Sequence, residues 1–326
     1  MQAVSPQHRR PYAKMGVASV SILCRCARAL DQPLPFFFRH LTHPISLPGT
    51  PRVYRTLCCL ALFLVWSTAL PAQGNYEVQT YGSDTVAPGR TMVELHSNFT
   101  FQGFKEKVGG VLPDEHQLHE TIEVTQGWNN WFETGFYIFT SAGPHQGYQW
   151  VGDHIRPRVR VPDSWHWPVG ISISTEIGYQ RPIFSSDTWT WEIRPIIDKS
   201  LGSWYLAFNP ALERSFHGAS VHEGVGFAPN FKVAYSFSRK FSAGLEYYGA
   251  LGSLTSFDPF SLQQEQIVPA IDYDFGPNWE FNLGVGVGIT HSTDHLLVKM
   301  IVGRRFRFMT PHWPGSERLR ALLRPQ

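Results

Sequence analysis

Cysteine is scarce and confined. The chain has four, Cys24, Cys26, Cys58 and Cys59, and none follows. A disulfide framework or thiolate metal site is therefore unavailable to everything downstream. Cys24-Arg25-Cys26 and Cys58-Cys59 lack zinc-ligand spacing, and the second pair opens an apolar stretch where a lipoprotein anchor would close one. Long apolar runs are also missing. Leu57 to Val65 falls well short of the ~20 residues of a transmembrane helix. Nor is there an excess of positive charge: 28 basic residues face 26 acidic ones, and the basic surplus lies ahead of Asn75, so the remainder is net acidic. With no basic patch interleaved with stacking aromatics, nothing supports nucleic-acid binding.

What is abundant is alternation. Trp279 to Ile289 reads W-E-F-N-L-G-V-G-V-G-I, with large apolar residues on one face and polar residues or glycine on the other. This is a strand period, and the apolar face meets either a protein core or lipid. Other stretches keep the rhythm but carry charge on the second face, as where Ile155, Val159 and Val161 oppose Arg156, Arg158 and Arg160. About twelve such segments begin near Thr91, Gln117, Phe132, Gln149, Pro168, Thr188, Trp204, Gly226, Phe241, Gln264, Asn278 and Leu296. Each is close to the ~10 residues of a tilted membrane strand.

The connections alternate too. Gly127 to Trp131, Pro162 to Trp167, Leu201 to Ser203, Ser238 to Lys240 and Phe275 to Asn278 read as tight turns. Between them lie longer polar stretches: 102–116, 142–148, 181–187, 215–223, 252–264 and 290–295. Trp128, Trp131, Trp165, Trp167, Trp204, Phe237, Phe241 and Trp279 fall at the tight-turn ends, and Trp150, Tyr179, Trp189 and Trp191 at the other. Two aromatic girdles, with turns on one side and loops on the other, suit a membrane barrel and not a soluble sandwich. Pro157, Pro195, Pro210, Pro229 and Pro269 fall inside the strands. Four of them, in R-P-R-V, R-P-I-I, A-P-N-F and V-P-A-I, are spaced by 38, 34 and 40 residues and read as bulges recurring at one level of the wall.

The expected organisation has five parts. Residues 1–51 are an upstream extension without a fold of its own, consistent with a start codon assigned too early. Residues 52–72 are a signal peptide, with Arg52 and Arg55 ahead of the apolar stretch and small residues near Ala72. Residues 73–90 are an N-terminal periplasmic segment, 91–308 the barrel, and 309–326 a basic tail.

Several stretches imitate chemical motifs. Gly284, Gly286 and Gly288 do not open a helix, so they suit space inside the barrel, for Tyr248 or an infolded loop, better than a phosphate site. His217 with His222-Glu223, and His291 with Asp294-His295, place imidazoles and carboxylates in the long loops without a recognised ligand spacing. Ser220, His222 and Glu223 are the right residue types for a membrane hydrolase, as are His96 and Ser97, but those two face opposite ways. No catalytic residue, cofactor or metal site is assigned. The inward face carries the strongest signal: Arg156, Arg158, Arg160, Glu176, Glu192, Arg194, Lys232, Glu246, Asp272, Glu280 and Lys299 are candidate selectivity residues of a charged lumen. Inside a barrel such charges either line a wet pore or pair into a plug.

Residues Thr91 to Phe308, whose last strand ends in Phe306 and Phe308, resemble the bacterial outer-membrane β-barrel proteins. The basic tail is a departure from that pattern. More distantly, the proportions are similar to outer-membrane transporters linked by name to phenol degradation. The expectation is an all-β fold, a transmembrane antiparallel up-and-down barrel of about twelve strands in the bacterial cell outer membrane. It would pass small solutes, with outer-membrane lipid and the barrel assembly machinery as partners. A lipid-modifying hydrolase and a non-conducting structural or adhesive barrel are the alternatives.

Overall fold

The computed structural model describes residues 75–144 and 146–307. The upstream extension, the signal peptide, Phe308 and the basic tail lie outside the described residues.

Twelve strands form one closed antiparallel barrel. They are β1 (Arg90–Gln102), β2 (Leu118–Asn129), β3 (Phe132–Gly143), β4 (Gly147–Arg160), β5 (Gly170–Gln180), β6 (Asp187–Leu201), β7 (Trp204–Gly218), β8 (Gly226–Ser236), β9 (Phe241–Ala250), β12 (Gln264–Tyr273), β13 (Trp279–Gly288) and β14 (Leu296–Arg307). The short arms β10 (Gly252–Ser253) and β11 (Ser256–Phe257) make a hairpin in the loop after β9 and bridge to β8. Each barrel strand pairs with its sequence neighbour, and β1 pairs with β14 from Arg90 opposite Arg307 to Gln102 opposite Leu296. Closure leaves no strand edge, which is what lets a sheet sit in lipid without unpaired backbone groups. No helix among the described residues is long and apolar enough to cross a membrane.

The two faces separate as the alternation requires. Leu95, Ile122, Phe136, Ile138, Ile173, Ile177, Val233, Leu245, Val285 and Val287 are exposed on the outside. Glu94, His96, Asn98, Glu123, Glu133, Arg156, Arg158, Asn209, Asn230 and Lys299 are buried within. A soluble protein has the opposite arrangement. Trp128, Trp131, Trp165, Trp167, Trp204, Phe237 and Trp279 are exposed at the turn end, and Trp150, Trp189 and Trp191 at the loop end.

Two expectations need correction. The sorting of connections is not strict. The link between β4 and β5 runs over 161–169 and contains a single 3-10 turn, Asp163–Trp165, whereas the loop-end link between β3 and β4 spans only 144–146. Nor do the strand prolines make bulges. Pairing lapses between Ile155–Ile177 and Arg158–Ser174, between Ile193–Leu212 and Ile197–Phe208, and between Ile267–Val287 and Ala270–Gly284, each time without a change of register. The lapses fall beside Pro157, beside Pro195 with Pro210, and beside Pro269. A strand residue directs its N–H toward one neighbour only, so each proline keeps its ladder on the other side, as in Thr134–Pro157, Ile173–Pro195 and Pro210–Pro229. Register shifts occur elsewhere, for example at Gly127/Asn129 and Phe139/Thr140.

Candidate functional site

The lumen is occupied by the chain itself. The segment expected in the periplasm, 73–90, is placed differently: its described residues run through the barrel before β1 begins. Tyr76, Val78, Thr80, Tyr81 and Ser83 are buried there. Its first described residue sits at the loop end, where Asn75 Nδ2 donates to Thr100 Oγ1 at 3.1 Å and to the Asp294 carboxylate. Farther along, Asn98 Nδ2 donates to Asn75 O at 2.8 Å and Thr121 Oγ1 to Tyr76 O at 2.8 Å. Midway, Lys299 Nζ donates to Val78 O at 2.9 Å. Asn209 grips Tyr81 on both sides: the Tyr81 N–H donates to Oδ1 at 2.7 Å, and Nδ2 donates to the Tyr81 carbonyl at 3.0 Å. At the turn end Arg158 donates to Asp84 O, and Val86 N–H donates to Glu133 Oε2 at 2.6 Å. Gly127 stands where the segment leaves the wall. A Cβ there would lie 2.2 Å from Val86 O, so any larger residue would push the segment away.

The inward charges pair. Arg156 Nη2 donates to Glu123 Oε1 at 2.6 Å, and Arg158 Nε lies 3.2 Å from Glu133 Oε1. Arg160 meets Asp84 at 3.2 Å and also Asp163. The Arg156 guanidinium stands 4.6 Å from the centre of the Tyr81 ring, that of Arg194 5.2 Å and that of Arg158 6.0 Å, so Tyr81 is surrounded by three cations. Arg194 also meets Glu192 at 2.7 Å. Across the lumen Lys232 bridges Glu246 at 3.1 Å and Asp272 at 2.9 Å, while Lys299 joins Glu246 and takes Tyr248 Oη at 3.0 Å. Glu176 pairs with His154. Of the eleven candidates Glu280 stands apart: it is half exposed near the turn end and pairs with Arg305 at 2.7 Å. Unpaired charge in a space of low dielectric is costly, so both signs come together around the segment.

The arginine row is thus not an open basic wall. Glu123 and Glu133 answer Arg156 and Arg158, and Asp84 of the segment answers Arg160. A pocket of about 430 Å³ lies at the turn end, lined by Ser83, Asp84, Arg160, Asp163, His166 and Asp198 among others. The three glycines of β13 do make room inside, for Val268, for Gln266 and for the infolded residues Thr293 and Asp294, with no Tyr248 contact among their nearest atoms.

The loop constellations do not assemble. Ser220 Oγ donates to Asp187 at 2.6 Å and makes no bond to His222, while His217 Nδ1 contacts Thr188 Oγ1 at 2.7 Å. Asp294 turns inward, whereas His291 and His295 are exposed. His96 is buried inside and Ser97 lies on the other face of β1. Sequence reasoning missed Asn98, Thr121, Asn209 and the threaded segment that gives them a role. The available signal was a set of amides and hydroxyls on inward positions of apolar strands.

An even, closed barrel with an apolar belt, two aromatic girdles and a polar interior defines an outer-membrane β-barrel protein. More particularly, residues 162–298 match the family described as "Putative MetA-pathway of phenol degradation", a stretch covering less than half of the chain. An outer membrane channel from Pseudomonas putida F1 is similar at 8% identity and a TM-score of 0.49, over 71% of this chain and 100% of that one. The NanC porin gives 7% and 0.46 over 66% and 100%, and the KdgM porin 11% and 0.42 over 67% and 99%. No curated protein sequence matches the chain.

Proposed function

We propose that the protein is a bacterial outer-membrane channel for small solutes, closed in this conformation by its own residues 75–87. One observation carries the reading: along its length the segment's backbone is hydrogen-bonded by wall side chains, at Asn98, Thr121, Asn209, Arg158 and Lys299, while its apolar packing is confined to two small clusters around Tyr76 and Val78. Such contacts exchange with water at modest cost, since a hydrogen bond contributes only ~0.5–1.5 kcal/mol net. Displacing the segment leaves a hydrated passage lined by both signs of charge, the arrangement of a selective pore. A barrel built only as an anchor is better served by an apolar fill.

The partial family match makes phenol and small phenolic acids the first solutes to test. In planar bilayers the chain beginning at Gln73 should conduct in brief events, and a chain lacking 73–87 should conduct steadily. Liposomes holding the shortened barrel should take up phenolic solutes faster than empty ones. Silence from both chains would favour the structural barrel, and release of fatty acid from outer-membrane lipid would favour the hydrolase.

A further inference from the structure

One buried cluster of the lumen wall is only partly satisfied. Glu94 and His96 are both inward on β1, and Glu94 lies directly opposite Glu123 of β2. Two carboxylates opposed across a strand pair repel each other. Both are withdrawn from solvent, Glu94 to 7% exposure and Glu123 to 1%. Arg156 and Thr125 satisfy Oε1 of Glu123, but its Oε2 is buried with no hydrogen bond. Among the described residues Glu94 makes no ion pair within 4.0 Å. His96 is 0% exposed and neither of its ring nitrogens has a hydrogen-bond partner. Buried imidazoles are nearly always bonded, so an orphaned one beside two carboxylates points to a missing partner.

The spacing identifies that partner. His96 Nε2 stands 3.5 Å from Glu123 Oε2. That is long for a hydrogen bond. Two ligands each about 2.1 Å from a tetrahedral zinc ion, however, stand about 3.4 Å apart. One ligand atom from each of Glu94, His96 and Glu123 lies within 4.8 Å of the other two, near enough to close by side-chain rotation. We infer that Glu94, His96 and Glu123 form a site for a divalent transition-metal ion, Zn²⁺ first, with water as the fourth ligand. The imidazole favours zinc over calcium or magnesium, which take oxygen ligands. The ion's charge offsets the two opposed carboxylates. This site is independent of the channel reading. It also touches the threaded segment at one remove, because Glu123 holds Arg156 against Tyr81.

The test uses the membrane-extracted barrel in detergent, stripped by a chelator, loaded with Zn²⁺ alone and dialysed before the metal is counted. The parent should retain an ion that His96→Ala loses, while His217→Ala and His295→Ala keep it. Folding of each variant is read from heat-dependent migration of the barrel on gels. No retained ion in the parent, or full retention in a folded His96→Ala barrel, overturns the site. Should His96→Ala not fold, X-ray absorption of the Zn²⁺-loaded parent decides: one imidazole with oxygen ligands supports the site, and two or more imidazoles place the metal on the loops and overturn it.

Discussion

Asn209→Ala should open the barrel without unfolding it. Asn209 is fully buried on β7 and makes two hydrogen bonds to the Tyr81 backbone, at 2.7 and 3.0 Å, the pairing a neighbouring strand would give. Removing the amide leaves a backbone N–H and C=O of the threaded segment without their partners. At ~0.5–1.5 kcal/mol net for each bond the loss is about 2 kcal/mol, taken at the centre of the range because water entering the vacated space recovers part of the larger desolvation penalty. The β7–β8 ladder stays intact through Asn209–Asn230 and Pro210–Pro229, so this cost falls on the segment and not on the wall. With tenfold per ~1.4 kcal/mol, the ratio of displaced to seated segment should rise roughly 30-fold. Single-channel recording should show the open fraction rising accordingly. Hydrogen exchange should quicken across 76–84 while the barrel strands remain protected. An unchanged open fraction together with unchanged exchange at Tyr81, in a barrel that still folds, would refute the view that this amide holds the segment.

Replacing Arg156, Arg158 and Arg160 by Ala should shift the reversal potential in a salt gradient toward cations, because Glu123 and Glu133 remain while their partners go. Ile171→Ala, on the outer face, should leave that potential unmoved, and a conducting triple variant with the parental potential would take the arginines out of the ion path. Burial, and then the neighbouring Asp114, push the Asp294 carboxyl up to about 8, although it receives a hydrogen bond from Asn75. A carboxyl whose folded pKa is raised stabilises most below its unfolded value near 3.8, and that contribution is lost as pH climbs to about 8. Protection of 103–116 and 290–295 in hydrogen exchange should therefore fall between pH 5 and pH 9, and Asp294→Asn should flatten the response. A protease added to intact cells should cut in 219–225 or 254–263 and spare Pro162 to Trp167; cleavage at that turn would invert the topology.

The barrel was legible because lipid imposes a simple rule on a strand: every second residue must be apolar, without a charge to spare, and each strand must be long enough to cross. That rule fixes where the twelve barrel strands start to within a few residues, since the aromatics mark both interfaces. It says little about turns. The stretch at Trp165 reads as tight on its flanking tryptophans and proves a nine-residue link, 161–169. Proline misled for a related reason. Its missing N–H is visible in the sequence, but whether a strand responds with an extra residue or with a gap depends on how firmly the other side is paired. Continuous partners such as Pro210–Pro229 hold the register, so gaps result.

The lumen was legible as a list of charges and illegible as an arrangement. Inward arginines and carboxylates read the same whether they face water or one another, because strand period fixes the face and not the partner. Residues 75–87 hid for a sharper reason: Y-E-V-Q-T-Y alternates like a strand, yet it has no ladder of its own and takes its hydrogen bonds from side chains of the wall. Those side chains, Asn98, Thr121 and Asn209, look like ordinary polar positions until the segment is in place. The same segment explains why the charges need not conduct as they stand. Arg158 and Arg160 are bound to Asp84, Lys299 to Val78 and Glu133 to Val86, so moving the segment exposes both signs at once. If the barrel conducts, selectivity and closure are properties of one set of contacts, and a substitution that changes the first without the second would have to act on a charge the segment does not touch, of which Lys232 with Asp272 is the clearest case.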